Sequence, residues 1–190
     1  MHLFIEVLTL VFFLATVAHA GATRGRGGLA LFGSLLFLGF VRENFVVLRE
    51  VLYGFSPLSL MLGKAPLIAS IIWGYSIYLA VVWAEEVTGE PLREDRPSGR
   101  FLAAAALFMM ALACFYEPFL ALIRMARWQE GTRMTLGVPW IALVGYPSLT
   151  ILYLLLRGWA KRPLLFWTGL AILALAHTAG LQALKDLLGW

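Results

Sequence analysis

The feature that most constrains this chain is a succession of apolar runs, each about long enough to cross a bilayer as a helix. A spanning helix needs about 20 apolar residues. The sequence is 61% hydrophobic and only 14% charged, whereas about a quarter of a soluble domain is charged. These features predict an all-α, polytopic membrane helix bundle with about six transmembrane helices in one domain, residues 1–190. The predicted helices are 3–20, 29–51, 66–87, 100–126, 139–156 and 163–184.

The segment between the second and third runs is apolar but too short to span. It covers 53–65 and is interrupted by Gly54, Pro57 and Gly63, so we interpret it as re-entrant or interfacial. The formal charge of +4 lies in loops and helix ends, without a basic stripe interleaved with aromatic residues. We therefore expect a lipid bilayer as the main partner, no nucleic acid, and a multi-pass protein of a bacterial cytoplasmic membrane.

Polar side chains interrupt the apolar runs at a similar depth. Glu6, Glu43, Glu117 and His177 all fall roughly 21–24 Å from one face when each residue is given 1.5 Å of helix. Ionisable residues inside a membrane are expensive and often functional, so this depth predicts a shared internal cavity. The alternative is structural. Long side chains reach water from near a helix end, and His177 can hydrogen-bond within the bundle.

Two arginines are candidate charge partners for the glutamates. Arg42 precedes Glu43 directly, but successive residues of a helix point about 100° apart. Arg124 lies two helical turns beyond Glu117 on the same face. Both are predicted as structural charge partners. Cys114 is the chain's one cysteine, so no intrachain disulfide or thiolate metal site is expected.

A spacing pattern links the two halves of the chain. Glu43 is followed by Gly63, Pro66 and then Gly74-Tyr75. Glu117 is followed at similar distances by Gly137, Pro139 and then Gly145-Tyr146. Both units start from the same side of the bundle. The pattern therefore indicates a parallel internal repeat, and such repeats place sites at their junction.

The same residues carry a resemblance. The second half reads Glu117-Pro118, Trp128, Gly131, Gly137-Val138-Pro139 and Gly145-Tyr146, and the first half has His19-Ala20, Gly25, Glu43, 53–56, 63–67 and Trp73. This pattern resembles a membrane carotenoid-biosynthesis family that includes the integral-membrane γ-carotene hydratases and the bisanhydrobacterioruberin hydratases. The resemblance covers most of the chain.

The resemblance implies addition of water to a terminal isoprenoid double bond of an acyclic or monocyclic carotenoid. A buried carboxylic acid would protonate carbon, and a second carboxylate would hold the cation and deprotonate water. Glu43 and Glu117 fit donor and partner in either order, with His177 as a third catalytic candidate. Aromatic faces stabilise cations, so the expected substrate-binding residues are Trp73, Tyr75, Trp140 and Tyr146. No metal, nucleotide or flavin motif is present, and we expect no cofactor.

Two other functions remain open from the sequence. The first is a non-catalytic membrane subunit of a larger complex, which would bind carotenoid or lipid and contact membrane protein partners or a second copy of itself. The second is a small transporter that uses the glutamates as a proton relay. A closed tunnel that reaches Glu43 and Glu117 together would favour catalysis, and glutamates that face lipid or share no common cavity would exclude it.

Overall fold

The computed structural model describes residues 2–55, 60–92, 97–160 and 162–190. In these residues the architecture is helical, with only short strands. The helices are α1 (His2–Arg49), α2 (Leu67–Thr88), α3 (Gly99–Leu122), α4 (Trp140–Trp159) and α5 (Pro163–Leu188). The strands are β1 (Tyr53–Phe55), β2 (Met61–Leu62), β3 (Ala65–Pro66), β4 (Ala126–Trp128), β5 (Met134–Thr135) and β6 (Val138–Pro139).

Each of the five described helices is long and apolar enough to cross a membrane. Large apolar side chains cover the outer surface of these helices. Examples are Phe4, Leu14, Phe115, Leu122 and Leu164, each more than half exposed. An exposed apolar surface of this extent is unfavourable in water but matches the hydrocarbon core of a bilayer. The fold is therefore that of a membrane protein.

The predicted count of about six helices is wrong for continuous elements, because the first two predicted helices are joined. α1 runs from His2 to Arg49, and Gly25 is the residue inside it with non-helical geometry, at φ 55° and ψ −139°. Phe13 and Phe32 nevertheless touch, with ring centroids 5.4 Å apart. In a straight helix they would lie about 28 Å apart. Gly25 thus reverses the chain, and the two arms of α1 pack against each other.

The reversal is tighter than the predicted loop 21–28 because small residues allow close approach of the arms. A Cβ on Gly28 would lie 2.3 Å from the carbonyl oxygen of Ala20. Glycine has no Cβ and tolerates the positive φ at residue 25. One residue therefore replaces a loop, and each arm retains the length of a membrane span.

The other helix ends depart from the predicted boundaries for local reasons. α3 ends at Leu122 rather than 126, because Arg124 takes a left-handed φ of 56° and turns the chain into β4. α2 and α4 each begin directly after a proline, Pro66 and Pro139, which fixes φ near the helical value and needs no N–H there. α5 continues to Leu188, past the predicted end at 184, and Gly189 closes it in the left-handed conformation.

The buried core joins the second arm of α1 to α2, α3 and α4. Leu35, Tyr78, Met109, Leu149 and Tyr153 are all fully buried in it. α5 packs against α1 and α4 and closes the bundle. Three buried charged residues, Arg42, Glu43 and Glu117, lie toward the end of the bundle where the strands are.

The two glutamate-bearing segments end in the same arrangement. Each glutamate helix leads into a short strand, then a two-stranded hairpin with a glycine at φ 73° (Gly63) or 78° (Gly137), then a proline and the next helix. Where the structure describes it, the predicted re-entrant segment 53–65 consists of β1 and most of the β2–β3 hairpin. Asn44 ties that hairpin to α1, since its Oδ1 accepts from the Lys64 amide at 2.6 Å.

Candidate functional site

A strand pair brings the two glutamate helices together at one end of the bundle. β1 pairs antiparallel with β4, with Tyr53 opposite Trp128, Gly54 opposite Arg127 and Phe55 opposite Ala126. The Tyr53 and Trp128 rings pack edge to face with centroids 4.8 Å apart. Each of these two side chains then donates a hydrogen bond to one of the glutamates.

Glu43 is fully buried, and its carboxylate accepts hydrogen bonds from three side chains. The Tyr53 hydroxyl lies 2.9 Å from both carboxylate oxygens, and the Trp73 indole N–H donates to Oε1 at 2.5 Å. Arg42 Nη1 also donates to Oε1 and forms the ion pair. A buried carboxylate is stable only when it is paired and hydrogen-bonded. Glu43 meets both conditions.

Glu117 is 5% exposed and is held by neutral donors. The Trp128 indole N–H donates to Oε2 at 2.6 Å, and the Tyr146 hydroxyl donates to Oε1 at 2.8 Å. Pro118, directly after it, packs against the hairpin turn, since a Cβ on Gly137 would lie 3.6 Å from the proline ring. The glutamate therefore lies where α3 approaches the second hairpin.

Each glutamate accepts from one tyrosine and one tryptophan, but the positions of these two residue types are swapped between the two units. In the first unit the strand supplies a tyrosine, Tyr53, and the following helix supplies a tryptophan, Trp73. In the second unit the strand supplies a tryptophan, Trp128, and the following helix supplies a tyrosine, Tyr146. The helix-borne pair also packs ring against ring, with centroids 4.8 Å apart. Each carboxylate thus receives one phenol and one indole.

One cavity reaches both glutamates. It measures about 30 Å³, enough for one or two water molecules. Its described lining is Glu43, Tyr53, Phe55, Ala69, Ile72, Trp73, Glu117, Leu120, Met125, Ala126, Trp128 and Tyr146. Most of this wall is apolar or aromatic, so the two carboxylates dominate its chemistry.

Arg42 supplies the positive charge of the site. Its helix position points away from that of Glu43, but the long side chain bends back to Glu43 and also donates to the Tyr53 hydroxyl. Its guanidinium carbon lies 4.5 Å from the Trp73 ring centroid, within cation–π range. Burial raises the pKa of the Tyr53 phenol above its ordinary value, and the Arg42 charge opposes the shift. Tyr53 therefore stays protonated and acts as a donor.

Four other predicted site residues lie away from the lining described for this cavity. The His177 Nε2 lies 2.9 Å from the Ser148 hydroxyl, between α5 and α4. Tyr75 accepts a hydrogen bond from Tyr116 at 3.2 Å. The remaining two are Trp140, whose indole donates to Thr135 at 2.8 Å, and Arg124, which is exposed in the turn after α3.

Of the predicted set, the structure therefore brings together Glu43, Glu117, Trp73, Tyr146 and Arg42. Sequence reasoning missed Tyr53 and Trp128 as site residues. Their signal was their position, since each follows a buried glutamate at nearly the same spacing, ten residues in one unit and eleven in the other. The step that sequence reasoning lacked was the β1–β4 pairing, which turns both side chains inward.

A wider cleft lies beyond the cavity on the strand side. It measures about 680 Å³ and shares two wall residues with the cavity, Tyr53 and Phe55. Its other described lining includes the charged side chains Glu50, Lys64 and Arg127. Tyr53 and Phe55 therefore lie between this cleft, whose lining includes charged side chains, and the cavity that reaches the glutamates.

The described residues contain no group of three or more His, Cys, Asp or Glu side chains arranged to hold a metal ion. The site's chemistry, in the part of the chain that the structure describes, is that of two carboxyls, a guanidinium, phenols and indoles. No family model, curated protein or solved structure matches this chain.

Proposed function

We propose that this chain is a membrane enzyme, in a bacterial cytoplasmic membrane, that adds water to a terminal double bond of an acyclic or monocyclic carotenoid. The observation that carries the proposal is the sharing of one buried, water-sized cavity by Glu43 and Glu117 inside an apolar bundle. Paired carboxyls of unequal environment are typical of acid–base sites. The resemblance of the sequence to the membrane carotenoid hydratases supplies the substrate class.

The unequal partners of the two glutamates suggest their roles. Glu43 is ion-paired with Arg42 and is assigned the negative charge. Glu117 contacts the neutral donors Trp128 and Tyr146 and is assigned the proton. In the proposed step the Glu117 O–H bond breaks and a C–H bond forms at the terminal double bond, which leaves a tertiary carbocation.

The second half of the step takes place in a cavity that opens to admit the polyene end, because the present space holds only water. The carbocation lies against the Trp73 and Tyr146 rings and near the Glu43 carboxylate, all of which stabilise positive charge. A water oxygen bonds to the cation, and the surplus proton returns to Glu117, now a carboxylate. Water enters from the polar cleft past Tyr53 and Phe55. The cycle consumes one water and restores both glutamates, so it needs no redox partner.

A second function is favoured by a different observation. All four carboxylate oxygens already accept hydrogen bonds from the protein, and the cavity has room for water but not for the end of a polyene. A cluster of this kind also serves as a structural lock between two helix pairs. The second candidate is therefore a non-catalytic membrane subunit that holds carotenoid or lipid on its outer surface.

The test is a pigment analysis in cells that accumulate lycopene or γ-carotene. Expression of the wild-type chain is expected to give a product heavier by one water, detected by mass spectrometry. Glu117→Gln is expected to lower the product about a hundredfold or more, because loss of a general acid removes 10²–10⁴ in rate. The matched control is Glu86→Gln, an exposed glutamate at the end of α2, which is expected to leave the yield unchanged.

Two outcomes would contradict the enzyme proposal. One is a hydrated product that persists at the wild-type level in Glu117→Gln. The other is the absence of product from a well-expressed wild-type chain that co-purifies with unmodified carotenoid, which would favour the subunit.

A further inference from the structure

A second cavity lies at the opposite end of the bundle from the β1–β4 strand pair. It measures about 390 Å³ and lies between the second arm of α1, the end of α4 and the start of α5. Its described lining is Ala30, Leu31, Ser34, Arg157, Ala160, Pro163, Phe166 and Trp167. The proposed hydration makes no use of this cavity.

The feature that points to a ligand is the guanidinium of Arg157. Its Nη1 is buried and has no hydrogen-bond partner among the described residues. A buried donor on a charged group is costly when it is left unsatisfied, more so than a neutral one. Ser34, which brings a hydroxyl to the described lining, is already engaged, because it donates to the Leu31 carbonyl and pairs with Tyr153 at 2.7 Å. The Arg157 Nη1 donor therefore has no acceptor among the described residues.

The positive charge around Arg157 favours an acceptor that is negatively charged. Arg162 lies in the same turn and is exposed, so a second cation is near the mouth of the cavity. Pro163 is the first residue of α5, and no side chain caps that helix start. Uncapped amides at a helix start add partial positive charge. Arg157 is well suited to a phosphate, because its planar fork matches phosphate oxygens.

The apolar walls of the cavity indicate that the anionic group belongs to a molecule with an apolar part. Leu31, Phe166 and Trp167 form an apolar side to the cavity, and Trp167 is 40% exposed to the bundle's lipid-facing surface. Trp167 also packs edge to face on Phe37, with centroids 5.2 Å apart. Indoles of this kind concentrate at the level of lipid headgroups. Basic pockets between helices at that level suit anionic lipids.

We infer that this cavity is a binding site for the phosphate headgroup of an anionic phospholipid, with Arg157 as its principal ligand and Trp167 beside the acyl chain. The assignment is independent of the glutamate cavity and of any hydratase activity. It differs from a purely structural role for Arg157, in which the cation only offsets the carbonyl end of α4.

The experiment is native mass spectrometry of the delipidated full chain in a neutral detergent. The probes are phosphatidylglycerol, phosphatidylcholine and inorganic phosphate, titrated separately. One phosphatidylglycerol is expected to bind more tightly than phosphatidylcholine, and inorganic phosphate is not expected to displace it. Arg157→Gln is expected to weaken phosphatidylglycerol binding about tenfold or more, because a charge-assisted hydrogen bond is lost.

Two further variants make the test specific. Arg162→Gln removes the same charge from the same turn and is expected to change binding less than about threefold, as for an exposed rim charge. Ala30→Trp leaves the charges intact and fills the exposed edge of the cavity, and it is expected to abolish binding. Equal losses in Arg157→Gln and Arg162→Gln, unchanged binding in Ala30→Trp, or displacement by inorganic phosphate would each overturn the assignment.

Discussion

Arg42 and Glu43 are neighbours in sequence, and both are buried inside the bundle. The pair is held in place by shared contacts, because Tyr53 accepts from Arg42 and donates to Glu43, while Trp73 lies against both. Charges at this depth are stable only as a compensated unit. Removal of one member therefore affects the fold as well as the chemistry.

This coupling gives a prediction at the scale of the residue. Arg42→Gln is expected to lower the free energy of unfolding by about 3–5 kcal/mol, because it leaves a buried carboxylate without its cation. The double variant Arg42→Gln/Glu43→Gln is expected to recover part of that loss. The measurement is a double-mutant cycle on the purified chain in bicelles, unfolded with sodium dodecyl sulfate. Strictly additive losses would contradict the coupling.

Individual site residues are predictable to the extent that their chemistry shows in the sequence. A carboxylate inside an apolar run stands out in the sequence, as Glu43 and Glu117 do. The aromatic residues Trp73 and Tyr146 can also be predicted, because they lie on the helix that follows each glutamate. Tyr53 and Trp128 cannot be recognised in this way, because their roles depend on a strand pair whose partners are distant in sequence. His177 lies at the same predicted depth as the two glutamates, but depth along a helix does not determine which neighbouring side chain it contacts.

At the scale of the element, the chain reversal at Gly25 was also not predictable from the sequence. The apolar runs locate the helices well, since long apolar segments carry a strong signal. They do not show that 21–28 contracts to one non-helical residue. The short strands were also not predicted. Strands of two or three residues have no periodicity of their own and form only through the hairpins and the pairing that contain them.

The reversal at Gly25 leads to a prediction at the scale of the element. Gly25→Ala is expected to destabilise the chain by about 1–3 kcal/mol, because φ 55° with ψ −139° is accessible essentially only to glycine. Gly27→Ala is the matched control. It is two residues away and exposed, it has no positive φ, and a Cβ added there would meet no heavy atom within 4 Å. It is expected to be neutral or to stabilise by up to about 1 kcal/mol.

Thermal unfolding of both variants in the same detergent would measure the difference. Equal stability of Gly25→Ala and Gly27→Ala would show that the reversal does not depend on the glycine conformation at residue 25.

At the scale of the whole molecule, the reversal determines how often the chain crosses the bilayer. Each arm of α1 is long enough to span, so we expect six crossings from the five described helices. The tip of the α1 reversal and the α4–α5 turn then lie on one side, and both hairpins lie on the other. The apolar runs of the sequence predict the same number of crossings with a different number of helices.

Cysteine labelling tests this topology. In a Cys114→Ala background, Gly27→Cys and Arg162→Cys are expected to react with a membrane-impermeant maleimide from one side only. Lys64→Cys and Arg127→Cys are expected to react from the opposite side only. All four positions are exposed in the folded chain, so a lack of reaction reflects sidedness. Labelling of Gly27→Cys from the same side as Lys64→Cys would exclude two crossings by α1.

The partners of the two glutamates also differ in when they become available during synthesis. Arg42 leaves the ribosome immediately before Glu43, so the first carboxylate meets its cation while the rest of the chain is still unmade. The donors to Glu117 are Trp128 and Tyr146, and both are translated later. Glu43 can therefore enter the lipid with its cation beside it in the chain. Glu117 has both of these donors only after α4 is made, so its site is completed later than that of Glu43.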